Sequence, residues 1–362
     1  MTLLLDNAAI APLIDPTDFV DVLDSAYRAF AAHESCGPPR IDLQGLPKED
    51  NSNYQLGLAV GIGSAGYAAL RIKSDMIFTR EVDGLKRKEK YCVQPGTYLG
   101  LVMVFDATDG GLKAILHDGL IQKMRVGADS ALGIRYMARE DATTLGILGA
   151  GGMARTHVAA ITAVRPIRKI RIFSPTEANR AAFAREIEDR YQIAAEAVGR
   201  PEDVYVGADI VSSCANAIGP MIMGRHLEDG THITCIGGTL DDEANQRVDA
   251  ALRFGNATAP VELDSWAVEE ECLTFAANGR KSEHGAGQRF ARIPRERRSL
   301  FGELLADPSR GRKRPEDITF SERGNIHGVQ FAAVAGRIYE KARDAGVGIE
   351  LPDSFFLQSI RN

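Results

Sequence analysis

A chain of 362 residues is long enough for two domains and a large buried core. Its composition, 44% hydrophobic and 25% charged, is that of an ordinary globular protein, and a net charge of −6 offers no electrostatic attraction to nucleic acid or to an anionic membrane. No apolar run has the length of a bilayer span, the start Met1-Thr2-Leu3-Leu4-Leu5-Asp6 lacks the basic region of a secretion signal, and the scattered Cys36, Cys92, Cys214, Cys235 and Cys272 read as reduced cytoplasmic thiols rather than metal ligands.

In chain order, residues 18–32 place Phe19, Val22, Leu23, Ala26 and Phe30 at helical spacing, so an amphipathic helix is expected. Residues 67–72 and 98–105 read as strands. Thr108-Asp109-Gly110-Gly111 is a hairpin signal, with residues 112–116 as the returning strand. Residues 121–139 have the pattern of a linking helix. The apolar run Thr144-Leu145-Gly146-Ile147-Leu148 then enters Gly149-Ala150-Gly151-Gly152-Met153-Ala154, and a helix-like stretch follows. Gly149 permits the tight turn, Gly151 lets backbone approach a pyrophosphate, and Ala154 allows the helix to pack closely on the sheet. The amides around Gly152 and Met153 then face the phosphates at the positive end of the helix.

Beyond this motif a strand at 170–173, a helix at 179–191 and strands at 208–213 and within 230–237 alternate, which argues for a doubly wound parallel sheet. Ligands bind at the carboxyl ends of such strands, so Cys214-Ala215-Asn216 and Gly237 are expected on the nicotinamide side. The second strand ends Phe173-Ser174-Pro175-Thr176, without the acid that holds the free 2′-hydroxyl of NAD. Ser174, Thr176 and Arg180 instead offer hydroxyls and a guanidinium suited to a 2′-phosphate, so NADP is expected, with NAD the alternative. Residues 286–314, dense in Arg and Lys, read as a solvated loop or short helix, and their 289–298 part either covers the site or faces solvent. The last helix, 329–345, carries Phe331, Val334, Ala335 and Ile338. His117, His157, His226, His232, His284 and His327 lack metal spacing; His157 is expected on a helix surface, and His117, near the hairpin end, is the one histidine that could reach a substrate cleft rather than an expected site residue.

Several segments together carry a resemblance: Pro38-Pro39-Arg40, Ile72-Lys73, Asp106-Ala107-Thr108-Asp109-Gly110, Ile121-Gln122-Lys123-Met124-Arg125-Val126-Gly127-Ala128, and the motif from Gly149 to Ala154. The chain resembles the ornithine cyclodeaminase/mu-crystallin family over nearly its whole length. The resemblance implies a homodimer with a mixed α+β substrate and dimerisation domain (1–122 plus 325–362) and a Rossmann-type NAD(P) domain (123–324). It also implies that Arg40, Lys73 and Arg125 bind the substrate carboxylate, with Lys73 and Arg125 catalytic. Local pattern alone makes all three solvated: Arg125 lies in a helix of mixed polarity, and Lys73 shares a strand face with Arg71 and Ala69. Arg forks suit a carboxylate, and a Lys beside two guanidinium groups is expected to lose its proton more readily.

The sequence departs from the family's founding cyclodeaminases at Cys235-Ile236-Gly237-Gly238-Thr239-Leu240-Asp241. Thr239 stands where their aspartate is found, and Thr ionises nowhere near the useful range. Gln122 and Val126 stand where Thr is common. The expectation is an imine reductase or amino-acid dehydrogenase moving hydride to or from the α-carbon of a small 2-imino or 2-amino carboxylate. The alternatives are a cyclodeaminase-like ammonia lyase using Asp241 and bound NAD, and an NADPH-dependent small-molecule binding protein.

Overall fold

The computed structural model describes residues 1–46, 48, 52–82, 85–217, 219–257, 267–268, 272–276 and 292–360. Within them the first strands are β1 (Thr2–Leu5), β2 (Arg40–Gln44), β3 (Asn53–Ile62), β4 (Tyr67–Val82), β5 (Leu85–Tyr91), β6 (Leu99–Asp106) and β7 (Leu112–His117). Helices α1 (Asn7–Ile10) and α2 (Pro16–Ala31) lie between β1 and β2, and Asp15 caps α2 by accepting from the amides of Thr17 and Asp18. After β7 comes α3 (Asp118–Met137), then the alternation β8 (Thr144–Leu148), α4 (Gly152–Val164), β9 (Lys169–Phe173), α5 (Glu177–Tyr191), β10 (Ala194–Ala197) and β11 (Ile210–Ser213). There follow β12 (Pro220–Ile222), β13 (His232–Cys235), β14 (Thr239–Leu240), α6 (Asp242–Arg247), β15 (Ala250–Arg253), β16 (Ala267–Val268) and β17 (Cys272–Ala276). The chain closes with β18 (Arg298–Leu300), α7 (Phe301–Ala306), β19 (Thr319–Glu322), α8 (His327–Ala345) and β20 (Ile349–Leu351).

These elements form an α/β fold. The first sheet runs β16-β17-β2-β3-β4-β6-β7-β1-β20, with β5 paired to the far end of β4. Its alternation is unusual. On β3 the small Gly57, Ala59 and Gly61 face inward, where α8 packs, while Leu56, Leu58, Val60 and Ile62 point out. Across the register Leu58 meets Ile72, Val60 meets Leu70, and Ile72 meets Leu101 in turn. The outer face is therefore a half-exposed apolar surface, and the inner face of β4 carries Ala69, Arg71, Lys73 and Asp75.

The second sheet runs β10-β9-β8-β11-β13-β19-β15-β18, and every pair in it is parallel. Strand order reverses between β8 and β11, which puts a crevice at the carboxyl end of β8. Helix α3 bridges the sheets and is buried along most of its length, so core residues run continuously from Leu5 and Phe19 through Leu132 and Ile134 to Leu145 and Ile170. No helix among the described residues is long and apolar enough to cross a membrane.

Two expectations need correction here. The described part of the basic stretch is not merely solvated: β18 pairs with β15, and Phe301 at the start of α7 is fully buried against Tyr27, Tyr136 and Phe254. Its residues 286–291, like His284, lie outside the described residues. In addition β16 and β17 fall inside the 123–324 span, yet β17 pairs with β2 and extends the first sheet.

Candidate active site

The inner face of the first sheet meets α3 and α8 in a cluster of cations. Arg40 opens β2, and its Nη2 donates to Asp42 Oδ2 at 2.6 Å. Lys73 stands opposite Gly57 on β3. A Cβ at Gly57 would lie 2.5 Å from Lys73 Cε and 2.7 Å from Asp42 Oδ1, so glycine is what lets both side chains share the space. Lys73 Nζ is 3.3 Å from Asp75 Oδ2, and Lys90 Nζ is 3.6 Å from the same oxygen. Burial pushes the Lys73 ammonium down to about 8; the charges of Arg40 and Lys90 add to this, and Asp42 and Asp75 oppose it. The expected cause, two neighbouring guanidinium groups, is thus only partly right: burial dominates, and Arg125 is not among the main contributors.

Arg125 on α3 is only 2% exposed, contrary to the surface position its local pattern implies. Its Nη2 donates to Gln122 Oε1 at 2.9 Å and its Nη1 to Gln330 Oε1. Gln330 in turn donates to the Tyr27 hydroxyl, which donates to Asp129 Oδ1 at 2.6 Å. Burial, reinforced by Arg323, pushes Arg125 down to about 9; burial pushes Asp129 up to about 6. Arg71 pairs with Asp118 at 2.5 Å, and Arg71 and Arg125 flank the Phe331 ring at 5.2 and 5.1 Å. Sequence reasoning missed Arg71, Asp129, Arg323 and His327. Only Arg71 had left a signal, its shared strand face with Lys73.

At the crevice of the second sheet Gly149 adopts φ +124°, a conformation that L side chains rarely take, and a Cβ there would meet Cys214 O at 2.9 Å. Gly151 precedes α4 with no side-chain cap, and a Cβ on it would meet nothing within 4 Å. The amides of Gly152, Met153 and Ala154 thus open the helix beside free space, which fits the pyrophosphate of a dinucleotide. Lys123 of α3 reaches the same place: its Nζ lies 3.4 Å from a Cβ built on Gly152. The loops after β11 and β13 also converge, with Ser213 Oγ donating to Gly237 O at 2.7 Å and Ala215 O so close that a Cβ on Gly237 would lie 1.6 Å from it. Asn216 is exposed on this rim, and burial holds the Cys214 thiol up at about 12, far from a reactive thiolate. Arg180 folds back over the β9–α5 turn: Nη1 donates to Ser174 O at 3.0 Å and Pro175 O at 3.3 Å, and the guanidinium lies 6.0 Å from the Phe173 ring centroid. Thr176, the N-cap position of α5, uses no side-chain bond there.

Three polar residues have structural employment instead. His157 is buried, not on a surface; its ring nitrogens meet Ser130 Oγ at 3.0 Å and Met153 O at 2.7 Å, and burial pushes it down to about 4. His117 Nδ1 accepts from the Gly119 amide and caps α3. Asp241 caps α6, its Oδ1 accepting from the amides of Ala244 at 2.7 Å and Gly224 at 2.9 Å. A carboxylate spent on two amides is poorly placed to serve as a lyase acid.

The family model described as the ornithine cyclodeaminase/mu-crystallin family matches residues 76–346. A delta(1)-pyrroline-2-carboxylate reductase of Bacillus cereus is 24% identical over 336 residues, covering 93% of this chain and 95% of its own. Among solved structures, the delta(1)-pyrroline-2-carboxylate reductase of Thermococcus litoralis in complex with NADH and L-proline superimposes with a TM-score of 0.75 at 21% identity, covering 97% of this chain and 100% of that one. An archaeal alanine dehydrogenase dimer with bound NAD gives 0.74 at 22% identity, with 97% and 99% covered.

Proposed function

Because the chain belongs to the ornithine cyclodeaminase/mu-crystallin family, we propose that it is an NAD(P)H-dependent oxidoreductase acting on the C–N bond of a small 2-imino or 2-amino carboxylate. The observation that carries this reading is the pairing of a cationic, partly desolvated cluster around Arg40, Lys73 and Arg125 with an open dinucleotide cradle at Gly149–Ala154. The relatives named above, reductases of a cyclic imino acid and a dehydrogenase of an amino acid, support it.

When bound, the reduced dinucleotide supplies the hydride. Gly149, Gly151, Gly152, Met153 and Ala154 hold its pyrophosphate, with Lys123 beside them. Cys214, Ala215, Asn216 and Gly237 line the nicotinamide side. Arg40 and Arg125 hold the substrate carboxylate; Gln122 and Gln330 fix the Arg125 fork before substrate arrives, so little ordering is left to the moment of reaction. Lys73 contacts the same carboxylate and gives a proton to the imine nitrogen as hydride reaches the α-carbon. With its proton affinity lowered to about 8 it exchanges that proton near neutral pH. Arg180, with Ser174 and Thr176, takes the 2′-phosphate, which makes NADP the preferred cofactor.

The outer face of the first sheet supports a homodimer. Val60, Ile62, Ala68, Leu70 and Phe105 line one depression on it, and Ile62 is 49% exposed. The cysteines are few, scattered and without metal-type spacing, which accords with a cytoplasmic enzyme.

The test is to follow reduced-nicotinamide absorbance with cyclic imine carboxylates and with 2-oxo acids plus ammonia, using NADPH and NADH in turn. Stoichiometric cofactor oxidation with amino acid formed supports the reading. Ammonia released from ornithine without net cofactor change overturns it in favour of a lyase.

A further inference from the structure

The first residue of α8 is His327, and its place is fixed by backbone contact. Gly328 and Gly61 pack so closely that a Cβ on Gly328 would lie 1.8 Å from Val60 O, and one on Gly61 2.4 Å from the Val329 amide nitrogen. The residue is only 5% exposed, and its Nδ1 is buried without a hydrogen-bond partner. A buried polar atom without a partner forfeits its water and receives nothing back, so native interiors rarely tolerate one. Such breaches of internal consistency concentrate at functional sites.

What surrounds the ring identifies its missing partner. Burial, together with the charges of Arg125, Arg323, Arg40 and Arg71, holds His327 neutral, well below the usual histidine range. A neutral imidazole offers one N–H donor and one acceptor lone pair. Guanidinium groups supply donors in plenty, so the group that belongs among them is an anion. Arg40 is bonded to Asp42 and Arg71 to Asp118, whereas Arg125 bonds the neutral amides of Gln122 and Gln330. Asp129 acts on Arg125 through space but is hydrogen-bonded to Tyr27 instead, so the Arg125 guanidinium hydrogen-bonds no carboxylate among the described residues, and it is the charge that acts most strongly on the His327 ring.

We propose that His327 is a substrate-positioning residue that donates an imidazole N–H to the carboxylate of the 2-imino acid and so sets its angle between Arg40 and Arg125. This rests on the functional reading above. A neutral donor fits the place better than a fifth cation would, because it fixes direction without adding repulsion among the arginines.

The test compares His327→Leu and His327→Asn with the parent enzyme, reading KM and kcat for pyrroline-2-carboxylate, dinucleotide affinity and melting temperature. Asn keeps an N–H near the position of the ring, and Leu removes it. Leu is expected to raise KM about tenfold, the loss of one hydrogen bond to a charged group. Dinucleotide affinity stays level, and the melting temperature holds or rises as an unpaired buried polar atom disappears. Asn is expected to recover most of the lost KM. An unchanged KM in His327→Leu overturns the proposal, as does an equal KM loss in both variants accompanied by a lower melting temperature, the mark of a structural role. A parent protein that turns over no imino acid overturns the functional reading and this proposal with it; an active parent with an indifferent Leu variant overturns this proposal alone.

Discussion

The lysine at the centre of the cluster owes its chemistry to burial more than to its neighbours. Lys73 faces Asp75 and Asp42, which favour its charge, but the cost of removing an ammonium from water wins and leaves it at about 8. The sign of the pH profile follows. Reduction needs the protonated amine as donor, so kcat/KM for the imine is flat at lower pH and falls about tenfold per unit above about 8. Oxidation of the amino acid needs the neutral amine and rises through the same range. Lys73→Met is expected to cut turnover about 100-fold or more, the usual worth of a general acid, with dinucleotide affinity nearly intact. Arg180→Ala is expected to weaken NADPH binding about tenfold and leave NADH unaffected, read by titration of nucleotide fluorescence. Side-chain roles were unevenly legible at this scale. The shared face of Arg71 and Lys73 follows from strand alternation. The burial of Arg125 does not, because one of its two partners, Gln330, lies 205 residues away and local polarity records nothing of it.

Close backbone contacts between elements decide where those side chains stand. The turn from β8 to α4 was legible because its chemistry is local: Gly149 at φ +124° admits few alternatives, and the apolar strand before it is short and continuous. The same holds for α2, the β6–β7 hairpin, α3, α5 and α8, whose boundaries shift by only a few residues from their sequence periodicity. The pairing of β17 with β2 was not legible, since parallel neighbours so far apart in sequence share no turn signal. Nor was the inward face of β3, where Gly57 and Gly61 look like weak strand formers until the Lys73 and Asp42 side chains over the one and the approach of α8 to the other explain them. That approach makes a prediction. Gly328→Ala forces a methyl against Val60 O and is expected to destabilise the protein by about 1–3 kcal/mol in denaturant unfolding, the usual cost of overpacking. It is also expected to raise KM, because His327 and Gln330 move with the start of α8.

For the molecule as a whole, the two sheets divide the labour. On the proposed reading the parallel sheet offers the crevice for the dinucleotide and the mixed sheet the cations for the carboxylate, and α3 joins them by carrying Lys123 toward one and Arg125 toward the other. The outer apolar face of the mixed sheet lies opposite this chemistry, so a second copy can cover it without blocking the cleft. The proposed homodimer is expected to sediment as a dimer and the Leu70→Glu/Ile62→Glu variant as a monomer in sedimentation equilibrium, since such an interface would have to bury unpaired carboxylates. The most direct test of the central claim is a stoichiometry: NADPH consumed against amino acid formed from pyrroline-2-carboxylate. The account predicts one for one, abolished in Lys73→Met. Ammonia from ornithine with no net NADPH consumed, or NADPH bound without turnover of any imino acid, would contradict it.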